Sequence, residues 1–115
     1  MKLRIRGNTL RLRLTRPEVE ALHEHGKVED ASAFPDGARF RYALELAATT
    51  TATFDEAGII VSLARPEGEA WCVSETVGIS AEVGPMQLLI EKDFACMKPR
   101  EGEDPSEMYP HPNAG

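Results

Sequence analysis

Leu14-Thr15-Arg16-Pro17-Glu18-Val19-Glu20-Ala21-Leu22 and Leu63-Ala64-Arg65-Pro66-Glu67-Gly68-Glu69-Ala70-Trp71 are the same passage met twice, 49 residues apart. Both contain R-P-E-x-E-A. The flanks agree in character: Leu10, Leu12 and Leu14 correspond to Ile59, Val61 and Leu63, and Val28 corresponds to Val77. A repeat this long points to one supersecondary unit copied and fused. Each copy of the passage reads as a helix start. Thr15 suits the N-cap, Pro17 the first turn, and Glu18 and Glu20 the positive end of the helix dipole. Val19 and Leu22, with His23 at the edge, form the buried stripe, and Gly26 ends the helix. The second helix spans 65–73 and is weakened by Gly68.

Upstream of the first helix, Lys2-Leu3-Arg4-Ile5-Arg6 and Thr9-Leu10-Arg11-Leu12-Arg13-Leu14 both alternate, and Gly7-Asn8 between them suits a two-residue hairpin turn. That turn sets Ile5 opposite Leu10, Leu3 opposite Leu12, Arg4 opposite Arg11 and Lys2 opposite Arg13. One face of the hairpin is then aliphatic and the other basic. Downstream, Lys27 to Phe34 reads as a weaker strand and Phe34-Pro35-Asp36-Gly37 as a turn. Arg39 to Leu46 alternates, with Phe40, Tyr42, Leu44 and Leu46 inward. The second copy repeats the order: strands over 50–54 and 59–64 around Asp55-Glu56-Ala57-Gly58, then the helix, then strands over 76–83 and 86–93 around Gly84-Pro85.

The expected fold is therefore α+β: a ββαββ unit occurring twice, about eight mostly antiparallel strands in a curved or barrel-like sheet, and two short helices. An open sheet with both helices on one face is the alternative. Repeat one covers about 1–47 and repeat two about 48–93, together one domain. Residues 94–115 lie outside the repeat. Four prolines and several acids there exclude a regular element, so an irregular tail is expected, pinned to the domain by Phe94, Met97, Met108 and Tyr109.

The 115 residues carry a net charge of −6, which disfavours nucleic-acid and anionic-membrane partners. No apolar run is long enough to span a bilayer, and Met1-Lys2-Leu3-Arg4 leads straight into a strand pattern rather than a signal peptide. The two cysteines, Cys72 and Cys96, lack metal-type spacing, so a cytoplasmic protein with reduced thiols is expected. Charge is unevenly placed. Residues 1–47 hold nine Lys/Arg against seven Asp/Glu, residues 48–93 two against eight, and residues 94–115 two against four.

Two clusters carry candidate chemistry. Arg4, Arg11, Arg13, Arg39 and Arg41, with Lys2, Arg6 and Lys92, form a basic sheet face on which converging guanidinium groups would bind a small phosphate-bearing anion. The plainer reading is a solvated face whose arginines pair with acids across strands. In the tail, Asp93, Cys96, Glu103, Asp104 and His111 offer thiolate, carboxylate and imidazole ligands for a divalent or transition metal. A third possibility joins the two, with the acidic tail lying across the basic face. His23-Glu24-His25 does not make a metal pair, because residues two apart point to different sides of a helix. Cys72, aligned with His23, reads as a packing residue. No nucleophile–base signature, Walker-type loop or dinucleotide fingerprint is present. Ile60 takes the place of Arg11 in the second copy. With Leu89 it forms an apolar spot for the tail or a second subunit to cover, which suggests a homodimer.

The duplicated α+β pattern resembles in architecture the triphosphate tunnel (CYTH-like) enzymes, which are eight-stranded antiparallel barrels. That resemblance implies arginines lining a tunnel, with Glu45, Glu82 or Glu91 holding a divalent metal. Lys2-Leu3-Arg4-Ile5-Arg6 departs from that family's first strand, which carries alternating glutamates. The opening Lys2-Leu3-Arg4-Ile5-Arg6-Gly7-Asn8 with Leu10-Arg11-Leu12 resembles the start of a family of short, uncharacterised bacterial proteins. Glu91-Lys92-Asp93-Phe94-x-Cys96, Glu103-Asp104 and Tyr109-Pro110-His111-Pro112 resemble its end. This second resemblance implies a bacterial, cytosolic, stand-alone domain and adds no catalytic residues. The function expected from the sequence is a non-enzymatic binding or protein-interaction module that requires no cofactor. An anion-binding protein or enzyme using the arginine face is the first alternative, and metal binding through the tail the second.

Overall fold

The computed structural model describes residues 1–56 and 58–93. Their chain order is β1 (Lys2–Arg6), β2 (Thr9–Leu14), α1 (Arg16–His25), β3 (Lys27–Ala33), β4 (Arg39–Ala47), β5 (Thr51–Asp55), β6 (Gly58–Ala64), α2 (Arg65–Val73), β7 (Gly78–Val83) and β8 (Met86–Lys92). The first hairpin has the register its turn dictates, with Ile5 opposite Leu10, Arg4 opposite Arg11 and Lys2 opposite Arg13.

The strands form two four-stranded sheets, β1-β2-β8-β7 and β3-β4-β6-β5, here called sheets A and B. The outer pairs are antiparallel hairpins. The central pairs, β2 with β8 and β4 with β6, run parallel. Exchanging the first and second halves of the chain maps the strand order of one sheet onto that of the other. The expected curved or barrel-like single sheet does not form. Each helix carries the chain from one sheet to the other: α1 links β2 to β3, and α2 links β6 to β7. A barrel needs every edge strand paired, and β1, β7, β3 and β5 remain edges among the described residues.

The core follows from alternation. Leu10, Leu12, Leu14, Leu88 and Ile90 project from sheet A, and Leu44, Leu46, Val61 and Leu63 from sheet B. They join Val19, Leu22 and Trp71 of the helices in one cluster. Both helices pack on sheet B and on each other. His23, expected at the edge of the α1 stripe, is exposed.

The two helices start differently. In α1, Glu18 Oε1 accepts from the Thr15 N–H at 2.8 Å and from the Thr15 hydroxyl at 3.0 Å, closing a capping box, and Gly26 ends the helix at φ +78. The N-cap of α2 is Ala64, which has no side-chain acceptor. There Pro66 sits in the first turn, and Arg65 meets Glu69 one turn on at 3.4 Å. Among the described residues no helix is long and apolar enough to cross a membrane.

Candidate functional site

The outer face of sheet A is built from the polar positions of its strands. Lys2, Arg4 and Arg6 come from β1, Thr9, Arg11 and Arg13 from β2, and Gln87, Leu89 and Glu91 from β8. The parallel pairing sets Arg13 beside Glu91 and Arg11 beside Leu89. Glu91 Oε1 lies 3.2 Å from Arg11 Nε and 3.7 Å from an Arg13 terminal nitrogen. Arg11 Nε and Glu91 Oε1 are both buried atoms without a well-aligned hydrogen bond. Their contact is therefore charge against charge, with poor hydrogen-bond direction. Lys2 Nζ meets Asp93 Oδ2 at 3.2 Å. Acids thus answer much of this basic face. Arg4 is exposed, directly opposite Arg11.

Arg39 and Arg41 stand exposed on β4 in the other sheet. The structure thus divides the five candidate arginines between two sheets. On the outer face of sheet B, Glu45 accepts a hydrogen bond from the Ser62 hydroxyl at 3.2 Å, in the parallel-pair position that Glu91 and Arg13 occupy in sheet A. Glu82 is exposed on the edge strand β7. Glu45, Glu82 and Glu91 therefore belong to three strands of two sheets, and among the described residues no tunnel brings them together. Among the described residues no group of three or more His, Cys, Asp or Glu side chains is placed to hold a metal. Of the tail set, Asp93 is half-buried and paired with Lys2. Cys96, Glu103, Asp104 and His111 lie outside the described residues.

A cleft of about 900 Å³ opens where the end of β8 meets α1 and the end of α2, lined by Leu14, Val19, Cys72, Lys92 and Asp93 among others. Lys92 donates to the Ser74 carbonyl at 2.6 Å and lies 5.2 Å from the centre of the Trp71 ring. Trp71 Nε1 donates to the Val77 carbonyl at 3.3 Å. Burial raises the Cys72 pKa; the Lys92 ammonium opposes the rise and Glu69 adds to it. The thiol is therefore protonated at neutral pH, which fits a packing residue rather than a nucleophile.

The most exposed aromatic surface was not legible as a cluster in the sequence. Sheet B sets Asp30, Tyr42, Ile59 and Phe54 side by side on its helix-bearing face. Phe40 is one step further along β4, and the Phe34 N–H bonds the Ala38 carbonyl at the adjoining turn. Phe40 and Phe54 thus share this face of sheet B with Tyr42, and Phe34 sits at the turn that follows the opposite edge strand, β3. Phe40 packs near Tyr42, with ring centres 6.0 Å apart, whereas Phe34 is 53% and Phe54 79% exposed. Close by, the Met1 ammonium contacts Glu18 and lies 3.6 Å from Asp30, and the Tyr42 hydroxyl donates to the Met1 carbonyl at 3.3 Å. Burial raises the Tyr42 pKa, and Asp30 raises it further.

The sheet edges also differ. β1 presents Lys2, Arg4 and Arg6, and β3 presents Lys27, Glu29 and Asp30. β5 is Thr51-Ala52-Thr53-Phe54 before its first charge at Asp55, and β7 is Gly78-Ile79-Ser80-Ala81 before Glu82.

Residues 1–113 match a family described as a family of unknown function (DUF7009), and the chain belongs to that family. No curated protein and no solved structure matches it.

Proposed function

We propose that this domain is a non-enzymatic protein-interaction module whose contact surface is the aromatic end of sheet B. The observation that carries the reading is Phe54, 79% exposed on the helix-bearing face of sheet B in the same cross-strand row as the half-buried Tyr42, together with the exposed Phe34 at the turn after β3. Fully burying a phenylalanine side chain is worth about 1.5–3 kcal/mol, so two of them left in water hold several kcal/mol for an arriving partner. Aromatic residues are also enriched at the centres of protein interfaces. A fused duplication underlies the module. The R-P-E-x-E-A passages that open α1 and α2, and the exchange of strand orders between halves, support that origin.

Photo-crosslinking in the native host tests the reading. Benzoylphenylalanine placed at position 34 or 54 should yield defined adducts, whereas the same group at Glu67 on α2 should not. Equal adduct patterns at all three positions would reject the aromatic end as the contact surface.

A second reading has its own observation. Arg4 stands directly opposite Arg11, like charges placed so are unfavourable, and Glu91 lies against Arg11 and Arg13 rather than Arg4. On this reading the outer face of sheet A binds a small phosphate-bearing anion. Triphosphate should then raise the thermal midpoint of the parent but not of Arg4→Ala or Arg11→Ala, and Glu91→Gln should strengthen the effect by freeing Arg11 and Arg13. Equal shifts in the parent and the arginine variants would exclude it.

A further inference from the structure

We infer that the partner seated on β5 is a second copy of this chain, paired antiparallel strand to strand across a two-fold axis at Thr53. This deepens the interaction reading and rests on it. β5 is the outermost strand of sheet B among the described residues. An edge strand offers a row of backbone N–H and C=O groups to any extended segment, and folded proteins blunt such edges with charge, proline or cover. β1 and β3 carry that charge. The Thr51–Phe54 run of β5 carries neither charge nor proline.

The strand is complementary to itself. Centred on Thr53, an antiparallel copy sets Thr53 against Thr53, Phe54 against Ala52 and Thr51 against Asp55. Each large ring meets a small methyl group, and each carboxylate meets a hydroxyl that can donate to it. No like charges face one another. A register centred one residue later would set Phe54 against Phe54 and Thr53 against Asp55; one centred two residues later would set Asp55 against Asp55, a repulsive pair. Phe54 projects on the helix-bearing face of sheet B, so its ring is covered by the neighbouring copy's Ala52 face. The assembly is one eight-stranded sheet, β3-β4-β6-β5 continued by its two-fold mate. An isologous contact of this kind closes on itself and ends at the dimer.

A contact of one strand and one aromatic ring per copy is small, so association should be weak. Sedimentation velocity on the full chain, from about 5 to 500 µM, reads it directly. The parent should shift from monomer to dimer across that range. Phe54→Asp should raise the dissociation constant at least tenfold, and Thr53→Lys should do likewise. Both substitutions are at exposed positions, so unchanged circular dichroism confirms the fold in each variant. Added salt should leave this strand pairing largely unchanged, whereas a dimer held through the basic face of sheet A would weaken. A parent that stays monomeric throughout, or a dimer unmoved by both substitutions, overturns the proposal. Crosslinking at position 54 separates the two levels. Adducts heavier than the chain but not twice its mass, from a monomeric protein, remove self-pairing and keep the module. No adduct from a monomeric protein removes both.

Discussion

Replacing Gly68 with alanine should destabilise the domain, although in most helices the same change stabilises. Gly68 is buried in α2 against sheet B. A methyl group there would lie 2.3 Å from Leu46 Cδ2 and 3.4 Å from Leu63 Cβ. Carbon atoms rest about 3.5–4.0 Å apart, so Leu46 or the helix must give by more than an ångström. Leu46 is only 6% exposed, and its methyl has no solvent to swing into. Glycine-to-alanine in a helix interior returns about 1 kcal/mol, and overpacking a core costs about 1–3 kcal/mol. The difference is a net loss of about 1 kcal/mol, or roughly 4–8 °C in midpoint for a domain of this size. Leu46→Val removes the obstructing methyl and keeps a strand-forming residue. In that background Gly68→Ala should stabilise by about 1 kcal/mol, a reversal of sign. Urea unfolding of the four proteins, with equal m-values, measures the cycle. Stabilisation of the parent by Gly68→Ala, or the same cost in both backgrounds, would refute the close approach of α2 to sheet B.

Ala64→Ser should give α2 the N-cap acceptor that Thr15 gives α1. Because the Ala64 N–H is already bonded to Thr50 Oγ1 at 2.9 Å, only half of a capping box can form, and a gain of about 0.5–1 kcal/mol in thermal unfolding is expected. Burial raises the Glu18 pKa, but hydrogen bonds from the Met1 ammonium, the Thr15 N–H and the Thr15 hydroxyl outweigh it, and the net shift is below 4.5. Glu18 therefore contributes stability that is present above pH 4.5 and lost as pH falls through the lowered value, so urea midpoints of Glu18→Gln should show a shallower acid limb than the parent. In a Cys96→Ser background, Cys72 should react with a disulfide reagent at pH 7 far more slowly than a free thiol, and at the normal rate once unfolded; equally fast labelling of the folded protein would contradict its burial.

Local chemistry made the elements readable. The Thr15–Glu18 box, Gly26 and the Gly7-Asn8 turn each act within a few residues, and α1 and the first hairpin fall where those signals put them. The second copy gave a clear α2 even without a cap, because Arg65-Pro66-Glu67 repeats the first-turn pattern. The sheets were not readable. Alternation says which residues share a face but not which strand lies beside which: the β2–β8 pairing joins opposite ends of the described chain, and the β4–β6 pairing passes over β5. The arginine site failed to assemble for the same reason. Arg11 and Arg41 carry the same alternation signal, yet α1 carries the chain across to the other sheet between them. Phe40 and Tyr42 were visible as inward residues, but bringing Phe54 beside them required the parallel β4–β6 pair.

The two halves keep the same apolar positions and differ in charge, and the edges are where that difference acts. β1 and β3 belong to the first half and carry charge, while β5 and β7 belong to the second and carry almost none. Equivalent ladders thus end in opposite chemistry: two edges that repel an incoming strand and two that would accept one. The accepting edges are not equal. In β7 the large apolar residues Ile79 and Val83 pack against the core, so its apolar face is already satisfied. In β5 the large residue is Phe54, which the core leaves in water. A strand pairing with β7 would gain backbone hydrogen bonds alone, and a strand pairing with β5 would gain those bonds and cover an aromatic ring. Backbone hydrogen bonds exchanged for water are worth about 0.5–1.5 kcal/mol each, much the same at either edge, so the ring decides between them. Association should therefore disappear in Phe54→Asp and survive Ser80→Lys on β7. Loss in both variants would mean that the edge chemistry of the second half acts as a whole and that Phe54 is not its anchor.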